Sequence, residues 1–259
     1  MPESSATATS ETPRVTAAML VIGDEILSGR TQDANFAYVA KFLAALGIDL
    51  CEGRIVPDIE AEIVAALNAL RARYTYVFTS GGIGPTHDDI TADAVAKAFG
   101  VGIDFHPEAM AMLGARYKPG EFNDMRKRMA RIPDTATLIT NTVSTAPGFQ
   151  IGNVFVMAGV PMILRAMLEN VAPRLVRGTI VVTATVSAKI AEGRIAAALA
   201  RTQDDHKSVA IGSYPFYRED GFGVQLVVRG RDPAGVEAAA RAIEQMILAE
   251  GAVPERLQP

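Results

Sequence analysis

Cysteine occurs once in the 259 residues, at Cys51, tryptophan not at all, and histidine three times, at His87, His106 and His206. A single cysteine excludes an internal disulfide and any multi-cysteine zinc or iron–sulfur site, so the composition demands no oxidising compartment. Three dispersed histidines do not make a His-rich zinc centre, which leaves oxygen ligands as the natural set for any cation. An excess of positive charge is also missing, because 25 Lys and Arg stand against 29 Asp and Glu. The chain therefore has no global electrostatic footprint for nucleic acid, while small anionic metabolites stay open as ligands. Long hydrophobic runs are absent too. The longest, such as 17–22 and 153–160, fall far short of the roughly 20 residues of a spanning helix. Residues 1–14, MPESSATATSETPR, hold no apolar stretch for a signal peptide. The expectation is a cytoplasmic protein, away from membranes, with a flexible tail over 1–14.

What is present is an ordinary globular composition, 49% hydrophobic and 21% charged, long enough for one large domain or two smaller ones. From Val15 compact apolar runs alternate with helical patterns. Strands are expected over 15–22, 48–55, 74–79 and 153–160, and helices over 35–46, 59–72, 90–99, 107–117 and 161–171, with a basic segment at 124–131. Strands alternating with helices of this length imply crossovers and a mostly parallel sheet covered on both faces. This unit is assigned to 15–173. After a Pro/Arg/Gly connector the rhythm changes to a strand (179–185), an Ala-rich helix (187–201), two strands (207–212 and 223–228) and a last helix (233–249). That βαββα order describes a small α+β domain over 179–252.

Chemistry concentrates where strands end. TSGGIGPTHDDIT, residues 79–91, leaves a buried strand, passes Gly81, Gly82 and Gly84, and enters a helix beside Asp88 and Asp89. Loops at the carboxyl ends of parallel strands line the ligand crevice, and glycines let an anion approach backbone amides closely. The same glycines also suit a tight strand-to-helix turn with Asp88 or Asp89 as its cap. Acidic side chains beside a phosphate cradle make sense when a cation sits between them, which points to a metal–phosphate site. GDEILSGRTQDAN, residues 23–35, follows the first strand and gathers Asp24, Glu25, Ser28, Arg30, Asp33 and Asn35, with Asp33 or Asn35 suited to cap the next helix. Asp58 follows the second strand as a third candidate, although taken alone an aspartate there is more often a helix N-cap before Ile59. Cys51 reads as a buried small hydrophobe.

These segments resemble a family. GDEILSGRTQDAN, VPD at 56–58 and SGGIGPTHDDIT are similar to the molybdopterin-binding, MoaB/Mog-like fold. NTVSTAPGF at 141–149 and AGVP at 158–161 resemble its version in the N-terminal part of competence/damage-inducible CinA proteins. IGSYP at 211–215 and the βαββα order are similar to the KH-like domain that follows there. The fold implied is a three-layer α/β Mog-like domain with a mostly parallel sheet, followed by a small α+β KH-like domain. CinA's nicotinamide-mononucleotide amidohydrolase domain has no counterpart in the sequence, so deamidation of that nucleotide is not expected.

The resemblance implies divalent-metal chemistry at a phosphoanhydride. Mog-like members transfer an adenylyl group to the pterin, whereas CinA-type and FAD-synthase-type members hydrolyse ADP-ribose or FAD. The acidic pair Asp88-Asp89 follows the CinA-type pattern and places the expectation on a nucleotide pyrophosphatase. The alternatives are a molybdopterin adenylyltransferase or a non-catalytic pterin- or nucleotide-binding protein. Asp58, Asp88 and Asp89 are expected to hold one or two hydrated ions (magnesium, manganese or cobalt) and to be catalytic. The amides of Gly81, Gly82 and Gly84 are expected on the pyrophosphate, supported by Thr86, His87 and Arg30, with molybdopterin as another ligand. Asp24, Glu25, Ser28, Asn35, Asn141 and Gly159 complete the expected substrate pocket. Ala158 departs from the proline common in relatives.

Two further features carry weaker signals. Arg126, Lys127, Arg128 and Arg131 read as a solvated helix face, with contact to phosphates as the alternative. The KH-like label carries no RNA expectation, since no GxxG loop follows the 187–201 helix and Gln203-Asp204-Asp205 is acidic. A packing or dimer-building role is expected there, within a homo-oligomer.

Overall fold

The protein is described by a computed structural model covering residues 14–118, 120–218 and 221–258. The expected tail, apart from Arg14, lies outside these residues. The described residues fall into two compact units that divide between Gly178 and Thr179.

The first unit runs β1 (Thr16–Ile22), α1 (Asp24–Leu27), α2 (Asn35–Ala45), β2 (Asp49–Val56), α3 (Glu60–Arg73), β3 (Tyr76–Ser80), α4 (Thr91–Phe99), β4 (Ile103–Phe105), α5 (Pro107–Arg116), α6 (Asp124–Lys127), β5 (Arg131–Pro133), β6 (Thr137–Ile139), β7 (Gly148–Ile151), β8 (Val154–Met157) and α7 (Pro161–Val171). Its main sheet has the order β2-β1-β3-β8-β7-β6. The first four strands are parallel, as the alternation of strands and helices requires, and β7 and β6 add an antiparallel edge.

The continuous apolar run of β1 is explained by burial on both faces. Ala18, Leu20 and Ile22 pack with α3, α4 and α5 residues such as Ile63, Leu67, Val95 and Leu113. Ala17, Met19 and Val21 pack on the other face with α2 and α7 residues such as Val39, Leu43, Leu164 and Leu168. On that second face the Phe78 and Phe155 rings stack at 5.2 Å between centroids. The result is the expected three-layer arrangement.

Several elements were not legible from periodicity. The 23–35 segment, expected as a loop, opens with the single turn α1. β4, β5, β6 and β7 are three or four residues long, too short for a period to show. Cys51 is exposed rather than buried, because β2 is an edge strand of the sheet, and its thiol donates to the Asp49 carbonyl at 3.4 Å.

The second unit runs β9 (Val182–Ala188), α8 (Glu192–Asp205), β10 (Ala210–Arg218), β11 (Gly221–Gly230), α9 (Pro233–Ala249) and β12 (Glu255–Leu257). It is an antiparallel sheet of order β10-β11-β9-β12 with Val186, Leu226 and Val228 packed against Ile195 of α8 and Val236, Ile243 and Ile247 of α9. β9 runs three residues past its expected end, since Val186, Ser187 and Ala188 pair with Leu226, Gln225 and Val224. The helix expected from Ser187 accordingly starts at Glu192. β10 continues through Pro215, beyond the expected stop, because an edge strand tolerates a proline. The short β12 was not expected. No described helix is long and apolar enough to cross a membrane.

Candidate functional site

The carboxyl ends of β1, β2, β3 and β8 lie on one edge of the sheet, so four loops meet there. The loop after β3 shows how its sequence is used. Gly81 has φ +109°, and a Cβ on it would come 2.1 Å from the Ile22 carbonyl oxygen; Gly82 has φ +67°, and its Cβ would fall 2.1 Å from the Thr91 hydroxyl. The first two glycines are thus required by contact with the protein's own β1 and α4. Thr91, fully buried, donates its hydroxyl to the Gly81 carbonyl at 3.0 Å and its amide to the Gly82 carbonyl at 3.0 Å.

Gly81 does not have its amide free for a phosphate, contrary to expectation. That amide donates to the Met157 carbonyl at 3.2 Å, extending the β3–β8 pairing. The amides of Gly82, Ile83 and Gly84 make no hydrogen bond to the described residues, and these three residues line a cleft of about 530 Å³. Glu25 and Thr31 from the first loop, Asp89 and Met129, and Ser144 and Ala146 line the same cleft. Ala158, Gly159, Val160, Pro161 and Ile163 add an apolar wall.

Two asparagines hold the walls in place. Asn35, buried at the start of α2, spends its side-chain N–H groups on the Ser80 hydroxyl (2.8 Å) and the Gly159 carbonyl (2.7 Å). Asp33 supplies the expected cap, accepting from the amides of Asn35 and Phe36. Asn141, also buried, accepts from the amides of Val143 and Ser144 and donates to the Ala146 carbonyl at 2.7 Å. Both residues therefore shape the pocket from behind.

The acidic residues divide into two sets. Asp58 accepts from the Asp24 amide at 3.0 Å and does not cap α3, whose start carries no side-chain cap. Burial lifts the Asp58 carboxyl above its ordinary range; the Asp24 amide opposes this, and the neighbouring carboxylates of Asp24, Glu25 and Asp88 reinforce it. Asp89 instead accepts from the Thr86 amide (2.8 Å) and hydroxyl (2.5 Å) with one oxygen, closing the glycine loop on itself. It does not cap α4, whose start at Ile90 has no side-chain cap. Among the described residues no three His, Cys, Asp or Glu side chains form a ready-made metal cage, so Asp58, Asp88 and Asp89 are not one preassembled set. A carboxylate crowded by like charges nevertheless suits a hydrated ion, which uses one or two carboxylates, its own waters and substrate phosphate oxygens.

The remaining candidates stand further out. His87 is 94% exposed and 3.9 Å from Asp88, as a solvated loop histidine. Arg30 and Ser28 are exposed, and the Ser28 hydroxyl donates to the Glu25 carbonyl.

Residues 18–177 match the family described as "Probable molybdopterin binding domain". The chain belongs to the molybdopterin-binding domain family. Residues 180–256 match the middle domain of FAD synthase. A protein of Thermoplasma volcanium is 36% identical over 163 residues, 61% of this chain and 64% of that protein. A CinA-like protein of Syntrophotalea carbinolica is 35% identical over 165 residues, 61% of this chain and 40% of its own length. The match thus spans less than two thirds of either relative. A protein of Archaeoglobus fulgidus is 29% identical over 229 residues, 88% of this chain and 96% of its own. The crystal structure of the protein CinA from Thermoplasma acidophilum aligns with a TM-score of 0.60 at 33% identity, over 63% of this chain and 99% of that one.

Within this molybdopterin-binding domain, sequence reasoning missed Thr31, Met129, Ser144 and Ile163 as cleft residues. None carries a motif of its own, and each is brought in by a different element. Arg128, which in sequence reads as part of a solvated face, donates to the Asp89 carbonyl at 3.4 Å.

Proposed function

We propose that the first unit is a metal-dependent pyrophosphatase acting on ADP-ribose or FAD-type dinucleotides. The observation that carries this reading is a cleft lined by three residues with unspent amides, Gly82, Ile83 and Gly84, together with Glu25, one of the carboxylates that crowd the half-buried Asp58. The amides suit phosphate oxygens, and Glu25 and Asp89 in the same cleft, with Asp58 near Glu25, suit the cation that a pyrophosphate brings with it.

Asp58, with Asp24, Glu25 and Asp88 around it, would hold the ion; when bound, a divalent cation lowers the pKa of its water and offsets charge on the bridging oxygen. The chain's own part is orientation. The Asp24 amide fixes the Asp58 carboxylate, Thr86 and Asp89 hold the glycine loop closed, and Asn35 ties the loops after β3 and β8 to α2. Ala158, Val160, Pro161 and Ile163 would exclude water beside the organic part of the substrate.

The match to a molybdopterin-binding family supports a second reading, ATP-dependent adenylyl transfer to a pterin. The test offers the purified protein ADP-ribose, FAD, NAD and ATP with magnesium, manganese or cobalt, beside an Asp58→Ala/Asp89→Ala double variant. Metal-dependent AMP release that the double variant abolishes is expected. No release from any substrate sinks the hydrolase; AMP transfer to added pterin would establish the second reading, and binding without product a non-catalytic role.

A further inference from the structure

The basic segment after α5 distributes its charges unequally. Arg126 lies over the Tyr117 ring at 4.4 Å and donates to the Glu121 carbonyl. Lys127 pairs with Asp124 at 2.8 Å and Arg131 with Asp93 at 2.7 Å. Arg128 alone of the four has neither an aromatic nor a carboxylate partner among the described residues. Its one hydrogen bond goes to the Asp89 carbonyl, and its Nε is buried with no partner.

Its position explains what this charge faces. Arg128 lines a cavity of about 20 Å³ together with Gly82, Ile83, Gly84, Asp89 and Met129, space for about one water molecule. Those same five residues line the large cleft. The glycine loop and Met129 therefore form a thin partition, with the cleft on one side and the Arg128 guanidinium on the other. Arg128 is half-buried, and although Asp89 and Asp93 line the same small cavity its guanidinium makes no ion pair with either, so its buried Nε and its charge stay unmatched among the described residues. The loop in between presents three unspent amides, whose dipoles favour an anionic ligand.

We propose that Arg128 is a positioning residue that makes the Gly82–Gly84 end of the cleft an anion subsite from behind the loop. The phosphate groups of the ligand then lie at Gly82–Gly84, and its ring system lies along Val160, Pro161 and Ile163. This rests on the cleft being the binding site of the preceding section, but it concerns anion binding and not turnover.

The test measures equilibrium binding of inorganic pyrophosphate, ADP and adenosine by calorimetry to the full chain, at low and high salt. Arg128→Met is expected to weaken pyrophosphate and ADP by about tenfold or more, the scale of one lost charge-assisted interaction, and to leave adenosine unchanged. Arg128→Lys should retain most of the affinity, and Lys127→Met should match wild type. Arg128→Gln keeps a donor for the Asp89 carbonyl and removes only the charge, so it decides the matter if the Met variant fails to fold. Equal weakening of adenosine would reveal a merely structural role and overturn the proposal. So would pyrophosphate binding that survives Arg128→Gln, or a wild-type protein that binds no pyrophosphate. Pyrophosphate binding lost in Arg128→Gln, in a protein that hydrolyses nothing, would leave this inference standing and remove the pyrophosphatase reading.

Discussion

Asn35 at the start of α2 donates a 2.8 Å hydrogen bond to the hydroxyl of Ser80, the last residue of β3. Its other amide hydrogen reaches the Gly159 carbonyl after β8 at 2.7 Å. One buried side chain thus sets the spacing of three loops around the cleft. Asn35→Ala leaves the Gly159 carbonyl and Ser80 hydroxyl short of a donor and should cost about 1–3 kcal/mol. Urea unfolding should show this loss, and ligand affinity should fall with it.

The glycines of the β3–α4 loop should separate by mechanism. Gly81→Ala places a methyl 2.1 Å from the rigid Ile22 carbonyl at φ +109°, and should destabilise by about 3 kcal/mol or more. Gly84→Ala meets only the Asp89 carboxylate, at 2.6 Å and without a positive φ. Thermal melting should therefore change much less, while displacement of Asp89 from Thr86 raises KM.

Asp58 supplies a metal-dependent prediction. Its carboxyl lies above the ordinary range through burial and neighbouring carboxylates, so its ionised form opposes folding once pH exceeds that range. In metal-free buffer at neutral pH, Asp58→Asn should be at least as stable as wild type. Magnesium should raise the Tm of wild type and leave that of Asp58→Asn unchanged; an equal rise in both would remove Asp58 from the ion site.

Away from the cleft, Glu52 on β2 accepts from the Tyr74 hydroxyl at 2.7 Å and pairs with Arg54 at 2.7 Å. Tyr74 first, and then Arg54, hold its carboxyl below the usual glutamate range. A lowered carboxylate pKa contributes stability that is complete above the unfolded value and is lost as pH falls through the folded one. The difference in urea midpoint between wild type and Glu52→Gln should be largest near neutrality and vanish in acid. A difference that persists at low pH would point to packing instead.

The alternation of apolar runs and helical periods was enough for the parallel part of the first sheet, because each such strand is buried on both faces and each crossover helix must cover it. The antiparallel edge β6–β7 escaped, since three- and four-residue strands are specified by their pairing partners. The site was legible in part for the same reason. Glycines and aspartates at strand ends marked the edge of the sheet where the cleft opens, yet the role of each depended on partners far away in sequence.

Gly81 and Gly82 illustrate the division. Their presence in SGGIGPTHDD announced a sharp, close-packed turn, a local property that sequence alone carries. That Gly81 spends its amide on Met157 while Gly82 keeps its own free was decided only when β8 came to lie beside β3. Arg128 likewise reads as one charge in a basic run until tertiary packing gives its neighbours partners and puts it behind the glycine loop. Sequence by itself determined the α/β order and the edge of the sheet that carries the cleft, because these follow from local periodicity and turn chemistry, while its motifs carried the family resemblance. Which amides, carboxylates and cations remain unspent was settled by long-range packing, since a hydrogen bond or ion pair exists only between groups that the fold has brought together.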